Sequence, residues 1–209
     1  MAELGKDINR AKQLLDRGEL VAIPTETVYG LAANALDATA AARIFAAKNR
    51  PSFDPLIVHV ATPLRVRELV TDFPDQAQTL ATTFWPGPLT LVLPKKNHIP
   101  DLVTAGLPTV GVRCPSHELT LELLHLLDYP LAAPSANPFG YVSPTRPEHV
   151  QEQLGSQVAY ILDGGPCRVG VESTIVGFDD GPVIYRLGGV AVEEIENVVG
   201  RVRVMTHSS

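Results

Sequence analysis

Cysteine is scarce in this chain: Cys114 and Cys167 are the only two in 209 residues, far apart, with no CxxC spacing and no paired histidines nearby. That pattern gives neither a disulfide framework nor a zinc site, and it fits reduced thiols in a cytoplasm. Excess positive charge is also missing. The formal net charge of −6 argues against unselective coating of nucleic acid, although a local basic groove is compatible with it. No apolar run reaches the ~18 residues of a membrane span, and Met1-Ala2-Glu3-Leu4-Gly5-Lys6 lacks the apolar centre of a signal peptide. A soluble, cytoplasmic chain with no membrane partner is expected. Several chemistries lack their key residues as well. There is no Walker A pattern, no GxGxxG opening a helix, no HExxH and no GxSxG, which removes the P-loop, dinucleotide, zinc-protease and serine-hydrolase readings.

What the chain does have is an ordinary globular balance, 45% hydrophobic against 19% charged residues, and enough length for one large domain with a substantial core. Its focus is Leu20-Val21-Ala22-Ile23-Pro24-Thr25-Glu26-Thr27-Val28-Tyr29-Gly30-Leu31-Ala32. The first half suits a buried strand that must end at Pro24, which has no amide hydrogen for a ladder. A cluster of hydroxyls and a carboxylate follows, at the kind of strand end where open α/β sheets bind ligands. Equally, Thr25 can cap a helix with Tyr29 packed beneath it.

Asp7 caps a first helix with Ile8, Ala11, Leu14 and Leu15 on one face, ended by Gly18. Asp37 or Thr39 starts another that must stop before Pro51. Lys48 and Arg50 sit in or just past its last turn, where cations also simply offset the negative helix end. Strands are expected at Leu56–Val60, Leu89–Leu93, Thr109–Pro115, Leu131–Ala133 and Tyr160–Asp163. Ser173–Phe178 and Val183–Tyr185 read as a hairpin around Asp180-Gly181. Two short helices are expected between Pro63 and Thr83. Ser116 is expected as an N-cap, Thr145-Arg146-Pro147-Glu148 as a capping box, and Lys95 and Lys96 as solvated. Arg113 in so apolar a strand demands an anionic partner, either a protein carboxylate or a ligand. A last helix through Val192 and Ile195 stops at Gly200. The elements predict a mixed α/β sheet with helices on its faces, formed by a domain over residues 1–200 and followed by a tail over 201–209.

Lys48, Arg50, Arg113 and Arg186 are thus cations near element ends, and Thr25, Thr27, Ser135, Asn137, Ser143, Ser173 and Thr174 are polar groups at strand ends or loops. Such a set suits a phosphate-bearing ligand beside a small polar one, with charge stabilisation in place of a covalent nucleophile. Pro24-Thr25-Glu26-Thr27-Val28-Tyr29-Gly30-Leu31, Lys48-Asn49-Arg50-Pro51, Pro55-Leu56-Ile57-Val58-His59, Trp85-Pro86-Gly87-Pro88-Leu89-Thr90, Pro134-Ser135-Ala136-Asn137 and Glu172-Ser173-Thr174-Ile175-Val176 together resemble the YrdC-like family of threonylcarbamoyl-AMP synthases.

The resemblance implies a single-domain twisted mixed sheet with a concave cleft, and condensation of L-threonine, bicarbonate and ATP to threonylcarbamoyl-AMP and pyrophosphate. A downstream tRNA threonylcarbamoyl transferase would use the product. By the same resemblance Thr27, His59, Arg113, Ala133 and Ser173 surround L-threonine, with Arg113 on its carboxylate. Arg50, Asp54, Thr109, Ser135, Ser143 and Arg186 line the ATP side, and Lys48, Arg50, Ser135 and Asn137 form the catalytic signature. Magnesium accompanies ATP, and no protein ligand to it is assigned. Asp54 stands where many relatives carry asparagine, and beside ATP it must turn to magnesium or to a neighbouring cation. Long members add a C-terminal domain, so the chain is either a short form or a first domain. Two alternatives stay open: a module binding tRNA or double-stranded RNA, and a paralogue making a different carbamoyl adenylate.

Overall fold

In the computed structural model, which describes residues 1–205, the strand Val21–Ile23 stops directly before Pro24. No helix capped by Thr25 follows. The chain turns and returns antiparallel as Gly30–Asn34, with Val21 opposite Ala32 and Ile23 opposite Gly30. Thr25 builds the turn instead: its Oγ1 donates to the Val28 carbonyl at 2.6 Å and accepts from the amides of Thr27 and Val28 at 3.2 Å.

The strands are Glu3–Gly5 (β1), Val21–Ile23 (β2), Gly30–Asn34 (β3), Ile57–His59 (β4), Leu89–Pro94 (β5), Thr109–Arg113 (β6), Leu131–Ala132 (β7), Tyr160–Leu162 (β8), Thr174–Phe178 (β9), Pro182–Arg186 (β10) and Arg203–Val204 (β11). The helices are Ile8–Asp16 (α1), Ala38–Lys48 (α2), Val66–Leu69 (α3), Asp75–Phe84 (α4), Glu118–Leu126 (α5), Pro147–Leu154 (α6) and Val192–Val199 (α7). The strands form one sheet in the order β1-β8-β2-β3-β7-β4-β6-β5-β9-β10-β11. Parallel pairs such as β4/β6 and β5/β9 mix with antiparallel ones such as β5/β6 and β9/β10. This is the mixed α/β sheet that the element pattern predicts.

Strand side chains alternate between faces, and that period places the two core layers. Leu20, Ala22, Leu31 and Ala33 join Ala40, Ile44 and Phe45 of α2 on one face, while Val21, Ile23 and Ala32 join Leu14 and Leu15 of α1 and Leu123 and Leu124 of α5 on the other. Further along the sheet only one face is covered. Leu89, Leu91 and Leu93 of β5 and Val110 and Val112 of β6 pack with Ala77, Leu80 and Ala81 of α4. The intervening Thr90, Val92, Thr109, Gly111 and Arg113 face a cleft. Each buried leucine contributes about 1.5–3 kcal/mol. A one-residue slip of β5 would send Leu89 and Leu91 into the cleft, which Leu93 already edges, so the register of the cleft floor is fixed from behind.

Several expectations need correction. Helix α5 begins at Glu118 behind His117, and the Ser116 hydroxyl makes no cap but lies buried without a partner among the described residues. Thr145 forms no capping box, because α6 starts at Pro147 with Arg146 at the N-cap and no side-chain cap bond. Lys95 is not simply solvated: its Nζ donates to the Ile99 carbonyl at 2.9 Å and to Asp101 at 2.8 Å, and Lys96 donates to the Arg67 carbonyl at 2.7 Å. The segment from residue 201 is not only a tail. Val202 is buried and β11 pairs in parallel with β10, Val183 opposite Arg203. Residues 206–209 of the expected tail lie outside the described residues.

Candidate active site

The cleft has a volume of about 650 Å³ and is floored by the uncovered face of β4, β5, β6 and β9. Thr27, Arg50, Asp54, His59, Thr109, Arg113, Ala133, Ser135, Ser173 and Arg186 all line it. They come from segments far apart in sequence, and the sheet order is what gathers them.

At the deep end Arg113 is buried. Its Nη2 donates to Glu26 Oε1 at 2.6 Å and its Nε to the Gly87 carbonyl at 3.3 Å, while Glu26 Oε2 accepts the Ser116 amide at 3.0 Å. Glu26 thus supplies the protein carboxylate that Arg113 requires, and the Nη1 end of Arg113 stays open on the cleft side. Glu26 stands behind the wall and does not line the cleft. His59 is buried beside Arg113, and its Nδ1 lies 3.3 Å from the Ile57 carbonyl. A carbonyl cannot donate, so Nδ1 carries the hydrogen of that bond, and in the neutral ring Nε2 keeps its lone pair. Burial first, then the Arg113 charge, push the imidazole down to about 3, against a smaller pull from the Ile57 carbonyl. Ser173 Oγ is 2.8 Å from Thr90 Oγ1, and Thr27 Oγ1 is 2.8 Å from Thr25 Oγ1.

Nearer the mouth, Arg50 Nε donates to the Asp54 carbonyl at 3.2 Å and Nη2 to the Pro55 carbonyl at 3.1 Å, with Nη2 also 2.8 Å from Asp54 Oδ2. Asp54 has thus turned to a neighbouring cation. Arg186 donates through Nε at 3.1 Å and Nη2 at 2.9 Å to the Ser173 carbonyl. Arg50, Arg113 and Arg186 share one pattern. Each is clamped along its Nε–Nη2 edge, and none has a protein hydrogen bond from Nη1 among the described residues. A clamped guanidinium holds its plane, so an anion arriving at the free end meets a donor already oriented.

Three residues expected in the site stand behind its wall. Lys48 is buried and its Nζ donates to the carbonyls of Ser135 and Asn137. Burial first, then the Arg50 charge, push its ammonium down to about 7, opposed in part by Asp54. Asn137 Nδ2 donates to the carbonyls of Pro138 at 2.9 Å and Tyr141 at 2.8 Å. Ser143 donates to Glu172 Oε1 at 2.5 Å, and it is Glu172 that reaches the cleft. Burial raises the Glu172 carboxyl, but the Ser143 hydroxyl, its own amide and the Arg186 charge outweigh this and hold it below its ordinary value.

The sequence places Glu26 in the polar cluster after Pro24 without a specific role, and it singles out neither Glu172 nor Thr90 as a site residue. Glu26 had a signal, since a buried Arg113 requires a carboxylate somewhere. Thr90 had a weaker one, as the hydroxyl inside the apolar strand Leu89–Leu93.

A family model described as Sua5_yciO_yrdC, telomere recombination, matches residues 13–188. The chain belongs to the Sua5/YciO/YrdC family. It is 50% identical over 198 residues to the threonylcarbamoyl-AMP synthase of Pyrococcus abyssi, covering 94% of this chain and 58% of that protein. With the threonylcarbamoyl-AMP synthase of Vibrio vulnificus it shares 35% identity over 161 residues, 76% of this chain and 86% of the other. The crystal structure of P. abyssi Sua5 complexed with L-threonine superposes with a TM-score of 0.95 at 47% identity, over 98% of this chain and 62% of that one. The chain therefore spans less than two thirds of the length of its P. abyssi relative.

In this Sua5/YciO/YrdC chain the wall that carries Ser173 and Arg186 depends on a bare glycine. A Cβ on Gly188 would come within 2.5 Å of both Ser173 C and Thr174 N. These are backbone atoms, which no rotamer change can move. Gly188→Ala is expected to cost about 1–3 kcal/mol by overpacking and to weaken ligand binding through Ser173. Urea denaturation and calorimetric titration of the variant check both effects, and wild-type values in either would contradict the account.

Proposed function

We propose that the chain joins L-threonine, bicarbonate and ATP into L-threonylcarbamoyl-AMP with release of pyrophosphate. The observation that carries this reading is the convergence of Thr27, His59, Arg113 and Ser173 with Arg50, Ser135, Thr109 and Arg186 in one cleft. The likeness to proteins called threonylcarbamoyl-AMP synthase, and to a Sua5 structure holding L-threonine, supports it. In this scheme the threonine amine takes up bicarbonate with loss of water, and the resulting carbamate oxygen attacks the α-phosphorus as pyrophosphate leaves. Carboxylate, carbamate and triphosphate are all anions. The chief task is to hold them together against their repulsion, and the free Nη1 ends of the three arginines suit that task.

Arg113 takes the threonine carboxylate, and His59 Nε2 offers an acceptor to the threonine hydroxyl. Arg50 and Arg186 take the nucleotide phosphates, with Ser135 and Thr109 beside them and the Asp54 carboxylate held on Arg50. Magnesium enters with ATP as part of the substrate. Among the described residues no group of three or more His, Cys, Asp or Glu could hold a metal. Among them, too, no helix is long and apolar enough to cross a membrane, and we place the activity in the cytoplasm. The product is a mixed anhydride, an activated acyl donor, to be consumed by a transferase that modifies tRNA.

Incubation with threonine, bicarbonate and MgATP should release pyrophosphate only when threonine is present, and equal release without it would remove the proposal. Serine lacks one methyl and should bind more weakly by about 1–3 kcal/mol.

A further inference from the structure

We propose that Lys48 is a positioning residue, acting on the nucleotide only through Ser135, whose loop it pins from beneath. The inference rests on the reading of the cleft as an ATP site, and it departs from the catalytic role that the sequence resemblance gives this lysine. Lys48 is 1% exposed and does not line the cleft, whereas Ser135 does. Its ammonium donates to the carbonyls of Ser135 and Asn137, and its own carbonyl accepts the Phe139 amide at 2.8 Å. The loop after β7 is therefore fastened to the end of α2 by both the side chain and the backbone of one residue.

The local sequence explains why lysine serves here. Helix α2 ends at Lys48, with Asn49 left-handed at φ 50° and the Arg50 amide closing back on the Phe45 carbonyl at 3.0 Å. That turn sends Arg50 into the cleft and leaves Lys48 under the loop. Pro134 and Pro138 flank the loop and supply no amide hydrogens, so its carbonyls need a donor from outside. An ammonium supplies several donors to closely placed carbonyls. Asn137 extends the brace through its bonds to Pro138 and Tyr141.

The first test uses the unaltered chain. Acetic anhydride is applied under native conditions with and without MgATP, and acetylation is read residue by residue by peptide mass spectrometry. Lys6 is exposed and should label readily. Lys48 should label at least about tenfold more slowly, because it requires local opening, and equally slowly with ATP. Labelling of Lys48 as fast as Lys6, with protection by ATP, would overturn the proposal.

The second test is a double-mutant cycle read by ATP titration. K48M should weaken ATP about tenfold while threonine binding stays within about twofold. In an S135A background the further loss from K48M should shrink to about twofold, because the two residues act along one path. Full additivity of the two losses would mean direct contact with ATP and would sink the idea. Failure of the intact chain to bind ATP removes the proposed function, while the labelling result still decides whether Lys48 faces the cleft. If K48M does not fold, the labelling result decides alone.

Discussion

Arg113→Met is expected to abolish L-threonine binding and to lower the unfolding free energy by about 3–5 kcal/mol, the cost of breaking a buried ion pair from one side. Both members are almost wholly out of water, Arg113 at 4% exposure and Glu26 at 3%. Without the guanidinium, Glu26 keeps, among the described residues, only the Ser116 amide as a partner for its charge. Urea denaturation measures the stability loss and calorimetry the binding loss. The two consequences separate in the double variant Glu26→Leu/Arg113→Met, where no buried charge is left unpaired. Most of the stability should return, since an apolar pair of similar volume often replaces a buried ion pair without loss. Threonine binding should not return, because the donor for its carboxylate is still absent. If the double variant is as unstable as the single one, Glu26 and Arg113 are not the coupled pair described. If the single variant still binds threonine tightly, Arg113 does not hold the carboxylate.

Acid should destabilise the chain through His59 in a defined window. The unfolded imidazole takes up a proton near pH 6.5, the ordinary value, whereas the folded one resists until about pH 3. Between those limits the unfolded state binds more protons, so stability is full above about pH 6.5 and falls as pH drops. The loss approaches about 1.4 kcal/mol per pH unit within the window and levels off below it. Thermal melts of wild type and His59→Gln from pH 7 to pH 4 measure the difference, and the variant should lose the histidine part of the slope. Because the Arg113 charge is one cause of the depression, Arg113→Met should also narrow the window. Identical slopes for wild type and His59→Gln would show that His59 already carries its proton in the folded chain. Between pH 5 and 8 no limb of a pH–rate profile should belong to His59, which stays neutral throughout.

Much of the architecture was determined by local chemistry and is therefore legible in the chain. Asp7 and Asp37 cap α1 and α2 with their carboxylates, Pro24 stops β2, and Asp180-Gly181 turns the β9/β10 hairpin with both residues at positive φ. These are effects of one or a few neighbouring residues, so spacing reveals them. β3 was not legible as a strand: Gly30-Leu31-Ala32-Ala33-Asn34 contains no β-branched residue. It is held by burial between β2 and β7, and tertiary context overrides its weak propensity. β1 and β11 escaped for a related reason, each needing a distant partner strand to exist.

The same division runs through the cleft. Residue types and motif order in the sequence determined which cations and hydroxyls the chain could offer to an anionic ligand. Only the tertiary structure decided which of them face the cavity. Lys48 and Arg50 are two positions apart, yet one lies under the Ser135 loop and the other in the cleft, because the helix ends between them and the chain reverses at Asn49. Glu26 became the partner of Arg113 for an equally non-local reason. Their strand ends are brought together by the sheet and its connections, and a buried charge takes the nearest opposite charge that folding delivers.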